Sequence, residues 1–210
     1  MNILEYETLL ASIITLVSTL GGLWLRTYLQ KKNANQGLHP NKKAQKKMEA
    51  IGKINQEVYN FLSHIRKELN ADRSYIFEFS NGSYFSSGLP ISKFTCTYET
   101  VGEGITSESH NPGEYRVSNF NEYIKILIDG ENFILEDIRS CEKTLLKELL
   151  IKKGVSSLYN FPIKDIHGRV IGFLGLDFVK TPQKLTSIQI KNCNEAADKL
   201  SGYLNADDIC

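Results

Sequence analysis

The chain has 210 residues, a net charge of +1, 41% hydrophobic and 23% charged residues, an ordinary globular balance that by itself suggests neither intrinsic disorder nor a nucleic-acid binder. Its charge is unevenly placed. Seven basic residues and no acidic one fall between Arg26 and Lys47, so the remainder carries +1 − 7 = −6. The four cysteines, Cys96, Cys141, Cys193 and Cys210, show neither close pairing nor metal-type spacing with the histidines, and read as reduced thiols.

After a short tail (residues 1–7), Thr8 to Leu25 runs eighteen residues without a charge, which as a helix covers about 27 Å and predicts one membrane span. Glu5 and Glu7 occupy the place of a basic signal-peptide flank, which argues against a cleaved leader. Trp24 suits the interface. The basic run beyond it (Arg26, Lys31, Lys32, Lys42, Lys43, Lys46 and Lys47) predicts a single-pass inner or plasma membrane protein with a cytoplasmic C-terminal side, and a surface for anionic lipid headgroups.

Residues 26–47 form a linker whose Gly37 to Asn41 segment, with Pro40, reads as a flexible joint. A stalk helix follows over residues 48–70. Its apolar stripe (Ile51, Ile54, Val58, Phe61 and Ile65, continued by Leu69) is expected to pair with a second copy in a homodimer or higher oligomer while covering the domain behind it.

Residues 71–210 then read as one α+β domain. Arg73 to Phe79 alternates as a strand, with a turn expected at Asn81-Gly82. Lys93 to Val101 is a second strand, with Phe94, Cys96 and Tyr98 assigned to one face and Thr95, Thr97 and Glu99 to the other. Asn119-x-x-Glu122 resembles a capping box, Phe133 to Ile138 a strand, and Ser140 the cap of a helix closed at Gly154. Ser157 to Lys164, a turn at Asp165 to Gly168, and Arg169 to Lys180 make a hairpin whose second strand is apolar on both faces and therefore central. A second capping box, Thr186-x-x-Gln189, opens a final helix with Leu185, Ile188, Cys193, Ala196, Ala197, Leu200 and Leu204 on its apolar face.

The hairpin Ser157-Leu158-Tyr159-Asn160-Phe161-Pro162-Ile163 and Val170-Ile171-Gly172-Phe173-Leu174-Gly175-Leu176, followed by a capped helix, resembles the C-terminal half of a GAF domain. That resemblance implies a GAF/PAS-like antiparallel sheet flanked by helices, and a module that binds a small-molecule ligand or a protein partner. The N-K-x-D-E signature of cyclic-nucleotide-binding members is missing and no cysteine fits bilin attachment, so no cofactor is named. The segment Phe77 to Gly82 with Lys93-Phe94 and Thr97-Tyr98-Glu99 is similar to uncharacterised phage-encoded proteins. The architecture also resembles the holins of T-even phages, which implies, as the alternative, a lysis protein whose span oligomerises; the charge pattern argues for the opposite orientation.

No phosphate-binding loop, zinc-hydrolase or serine-hydrolase motif occurs, so the chain is expected to catalyse nothing and to hold no metal. The ligand-binding candidates are Phe79, Asn81, Thr95, Thr97, Glu99, Tyr159 and Asp177. Asp177 interrupts an apolar strand; it either reaches solvent near the strand end or needs a partner or ligand.

Overall fold

A computed structural model describes residues 21–32, 42–84, 90–107, 115–142 and 144–204. Most of the predicted span (8–20) and the Gly37 to Asn41 joint lie outside them. Residues 21–32 are helical (α1) with Leu23, Trp24, Leu25, Tyr28 and Leu29 exposed, and Trp24 stacks on Tyr28 at 5.6 Å. Among the described residues, no helix is long and apolar enough to cross a membrane. The chain divides into two compact units, Met1–Gly52 and Lys53–Cys210.

Helix α2 spans Lys42–Glu68. Six antiparallel strands follow: β1 (Arg73–Tyr84), β2 (Pro90–Val101), β3 (Tyr115–Arg116), β4 (Phe133–Leu135), β5 (Ser157–Lys164) and β6 (Val170–Phe178). They are ordered β3-β2-β1-β6-β5-β4. Helices α3 (Asn121–Ile128) and α4 (Thr144–Lys152) lie between β3 and β5 in sequence, and α5 (Ser187–Leu204) ends the fold. The sheet thus has two faces to bury, and each gets its own helix layer.

On the outer face, Val58, Leu62 and Ile65 of α2 and Cys193, Ala196, Ala197 and Leu200 of α5 pack on Ile76, Phe161, Leu174, Leu176 and Phe178. Val58 and Leu62 are wholly buried there. This corrects the dimer expectation for Val58 and Ile65, whose side chains are consumed by their own sheet. Ile54 and Phe61 pack partly against the same core, and only Ile51 of the five is largely exposed.

On the inner face, Tyr75, Phe77, Phe94 and Phe173 meet Tyr123, Ile124 and Leu127 of α3 and Leu146 and Leu150 of α4. Central β6 explains its two apolar faces: its alternate side chains serve the two cores.

Several local expectations are corrected. β1 continues through Asn81-Gly82, with Asn81 opposite Ser92, so the expected turn there is strand. No side-chain cap opens α3, whose N-cap is Phe120, because a 3-10 turn (Val117–Asn119) occupies the expected box. Asp137, not Ser140, caps the next turn by accepting from the Arg139 amide, and α4 begins only at Thr144. Ile188 is exposed. The Thr186/Gln189 box does form, with reciprocal bonds of 2.9 and 3.3 Å.

Candidate ligand site on the inner face of the sheet

The pleat of the three central strands assembles the site. Arg73 lies opposite Asp177, and Tyr75 lies opposite Gly175, which on its other side faces Asn160. Alternation sends Arg73, Tyr75, Asn160 and Asp177 to the inner face together. Gly175 is required there by close approach: a Cβ would sit 1.9 Å from the Tyr75 ring. The tyrosine therefore lies across the glycine of β6 and reaches side chains on both β6 and β5.

These side chains form one buried network. Arg73 Nη1 donates to Asp177 Oδ2 at 3.1 Å, and the Tyr75 hydroxyl donates to Asp177 Oδ1 at 2.8 Å. Tyr75 also reaches Asn160 Oδ1 at 3.3 Å, and Asn160 Nδ2 donates to the Tyr123 hydroxyl at 2.6 Å. The other two guanidinium nitrogens, Nε and Nη2, donate to the carbonyls of Thr106 and Lys153, both at 3.1 Å. Asp177 is 3% exposed, so the strand-end alternative, a carboxylate reaching solvent, is excluded and the partner alternative holds.

Burial dominates the electrostatics. It pushes the Asp177 carboxyl above its ordinary value, against the opposing pull of the Tyr75 hydroxyl, Arg73 and Lys153. Burial and then the Asp177 charge push the Tyr75 and Tyr123 hydroxyls well up, so both stay protonated.

Beside the network lies a cavity of about 40 Å³, walled by Phe77, Phe94, Tyr115, Phe120, Tyr123 and Phe173 among others, with Asp177 and Lys153 also in its lining. That is room for a water molecule and not for a metabolite. Lys153 Nζ lies 5.1 Å above the Tyr115 ring. An open groove of about 850 Å³ runs along α3, β4 and the start of α4. Groove and cavity share Phe120, Tyr123 and Leu146 in their linings, so these three side chains form the partition between them.

Of the sequence-predicted candidates, only Asp177 lines the cavity. Phe79 sits at the edge of the inner core, 6.1 Å from Phe173. The side chain of Asn81 lies outside the described residues. Tyr159 is a correction: it points to the outer face, where its hydroxyl donates to the Gln183 carbonyl and accepts from the Leu185 amide.

The polar face proposed for Thr95, Thr97 and Glu99 is also corrected. Ile76 pairs with Tyr98 but Phe77 with Cys96, so Thr97 is a bulged residue and the alternation inverts there. Tyr98 thereby joins the outer core. Glu99 comes opposite Tyr75 and accepts from the Ser107 hydroxyl. Thr95 is half-buried opposite Glu78 and Thr97 is exposed; none of the three lines the cavity. Arg73, Tyr75, Tyr123 and Asn160 were missed, although Arg73 and Tyr75 alternate with Phe77 on one strand face. Among the described residues, no cluster of three His, Cys, Asp or Glu side chains could hold a metal.

No protein-family model and no curated protein matches the chain. Solved structures do. The blue-light absorbing form of the PixJ GAF domain from Thermosynechococcus elongatus superposes with a TM-score of 0.59 at 16% identity, covering 76% of this chain and 89% of that one. The GAF domain region of a Geobacter sulfurreducens PCA protein gives 0.58 at 15% identity, covering 76% and 97%. The far-red absorbing dark state of JSC1_58120g3, with bound biliverdin IXa, gives 0.56 at 13% identity, covering 76% and 99%. The fold is GAF-like.

Proposed function

We propose that this chain is a membrane-anchored, non-enzymatic sensory module whose GAF-like domain binds a small molecule between the inner face of its sheet and helices α3 and α4. The observation that carries the reading is the buried network of Arg73, Asp177, Tyr75, Asn160 and Tyr123 beside an aromatic-walled cavity. A polar network in an otherwise apolar core is costly to build and supplies the few convergent polar groups that ligand pockets use. Biliverdin bound in one structural neighbour supports a small-molecule ligand for this fold. The cavity is too small for such a molecule, so binding on this reading merges it with the neighbouring groove by displacing Phe120, Tyr123 and Leu146.

The experiment is a thermal-shift screen of metabolites on a fragment beginning at Asn41, repeated with Leu158→Phe, which fills the cavity. A ligand at a hundred times its Kd stabilises the fold by about 2.7 kcal/mol. The site is supported by a compound that shifts the parent and not the filled variant. A compound that shifts both equally places binding elsewhere.

The anchor in this reading is the uncharged stretch 8–25, supported by the five exposed apolar side chains already described at residues 23–29. The basic residues from Arg26 to Lys47 would hold the C-terminal domain in the cytoplasm, next to anionic headgroups. A reporter after Cys210 should then resist protease added to spheroplasts. Digestion from outside would overturn this topology and favour the phage lysis-protein reading in its place.

A further inference from the structure

A second cleft, of about 450 Å³, opens where the end of α2 meets the end of β2 and the β6–α5 connection. Arg66, Lys67 and Lys180 line it, with Asp72 and the exposed Glu103 as its acidic members. Asp72 is engaged locally: its Oδ2 accepts from the Val179 and Lys180 amides at 2.7 and 3.3 Å, and its Oδ1 lies 3.7 Å from Lys180 Nζ. The last carbonyls of α2, which would otherwise attract cations, are taken by backbone amides, Asn70 bonding to Lys67 and Ala71 to Arg66.

One atom of Arg66 is not accounted for in this way. Its Nε is buried with no hydrogen-bond partner among the described residues. Native proteins rarely leave a buried donor orphaned, and a bound water or ion is one way in which such a group is completed. Space for the guanidinium exists because residue 102 is glycine: a Cβ there would lie 3.2 Å from Arg66 Nη1 and 3.4 Å from the Asp72 carbonyl. A guanidinium presenting adjacent N–H groups matches the oxygens of a phosphate, and two nearby ammonium groups add charge without demanding geometry.

We propose that this cleft binds a phosphate group, gripped by Arg66 after a small turn of its guanidinium, with Lys67 and Lys180 neutralising the remaining charge. The site is separate from the inner-face cavity, with which it shares no lining residue. A soluble phosphorylated metabolite and a phospholipid headgroup present the same chemistry.

The test uses the full chain in detergent micelles and follows the Gly102 and Asn70 amide resonances while inorganic phosphate is added at constant ionic strength, with chloride as the control. Saturable shifts at millimolar phosphate are expected. Arg66→Gln should weaken binding at least tenfold, and Lys180→Gln should weaken it as well. If Arg66→Gln fails to fold, Lys67→Gln and Lys180→Gln, at exposed lysines, carry the comparison. A parallel series in phosphatidylcholine nanodiscs with and without phosphatidic acid identifies the source: the same shifts on adding phosphatidic acid indicate a headgroup, and shifts with free phosphate alone indicate a soluble ligand. The proposal is overturned by the absence of saturable shifts in both series, by equal shifts with chloride, or by binding that the variants leave unchanged.

Discussion

Gly175→Ala tests the inner-face network through a single methyl group. The added carbon would lie 1.9 Å from Tyr75 Cε2 and 2.2 Å from its Cζ, far inside van der Waals contact, and the glycine is in a central strand that cannot retreat. The ring must move. Overpacking of this kind costs about 1–3 kcal/mol. Moving the ring also breaks the 2.8 Å bond from the Tyr75 hydroxyl to buried Asp177, and a hydrogen bond to a charged group contributes about 1.5–3 kcal/mol. The substitution should therefore destabilise the domain by about 3–5 kcal/mol, read from urea unfolding of the Asn41 fragment by far-ultraviolet circular dichroism. In a Tyr75→Ala background the obstruction is gone, and Gly175→Ala should then cost less than about 1 kcal/mol, a strongly non-additive cycle. A loss below about 1 kcal/mol in the parent, or additive losses in the double variant, would refute the placement of Tyr75.

Asp177→Ala should cost about 3–5 kcal/mol in a thermal melt because it strands Arg73 in the core, whereas replacing both partners together (Arg73→Met with Asp177→Leu) should cost less than Asp177→Ala alone. Side-chain and backbone hydrogen bonds from Arg139 hold the Asp137 carboxyl down to about 2. Since that folded value lies below the unfolded one, its stabilisation is present above the ordinary carboxylate range and is lost as pH falls toward about 2; carbon-detected titration should show this, and Arg139→Ala should return the carboxyl toward its ordinary value. Burial, with the charge of Glu68 second, pushes the Cys193 thiol up to about 12, so iodoacetamide at mildly alkaline pH should leave it unmodified in the folded protein and label it on unfolding, as mass spectrometry would show.

The hairpin, the central position of β6 and the Thr186/Gln189 cap were legible in the sequence because each depends on local pattern: period-two alternation, a four-residue turn, a reciprocal box. The inner-face site was less so, because what assembles it is register. Nothing in Lys93 to Val101 marks Thr97 as the bulged residue, and that one bulge exchanges the faces of Tyr98 and Glu99. Tyr159 and Asn160 are adjacent in an apolar run, and only pairing with β6 shows that the asparagine, not the tyrosine, joins the site. The α2 stripe was read as a surface that must be buried, which holds for Val58 and Ile65 and not for Ile51, and periodicity does not name the partner; Val58 and Leu62 find theirs in the sheet. Asp177 stood out as a carboxylate in an apolar strand, but its place near the strand end left solvent open as its partner, and only its burial in the structure decides for Arg73 and Tyr75.

If the inner face is a ligand site, the partition of Phe120, Tyr123 and Leu146 must open, because a cavity of about 40 Å³ admits no metabolite as it stands. Methyl relaxation dispersion on the Asn41 fragment measures this directly at Leu146, Leu150 and Leu158 on the cavity side, with Leu176 and Leu200 in the outer core as references. Microsecond-to-millisecond exchange is expected at the cavity leucines, with flat profiles at the references. Flat profiles at all five, with no compound able to shift the cavity leucines, would make the inner face an ordinary closed core and contradict a ligand-binding role.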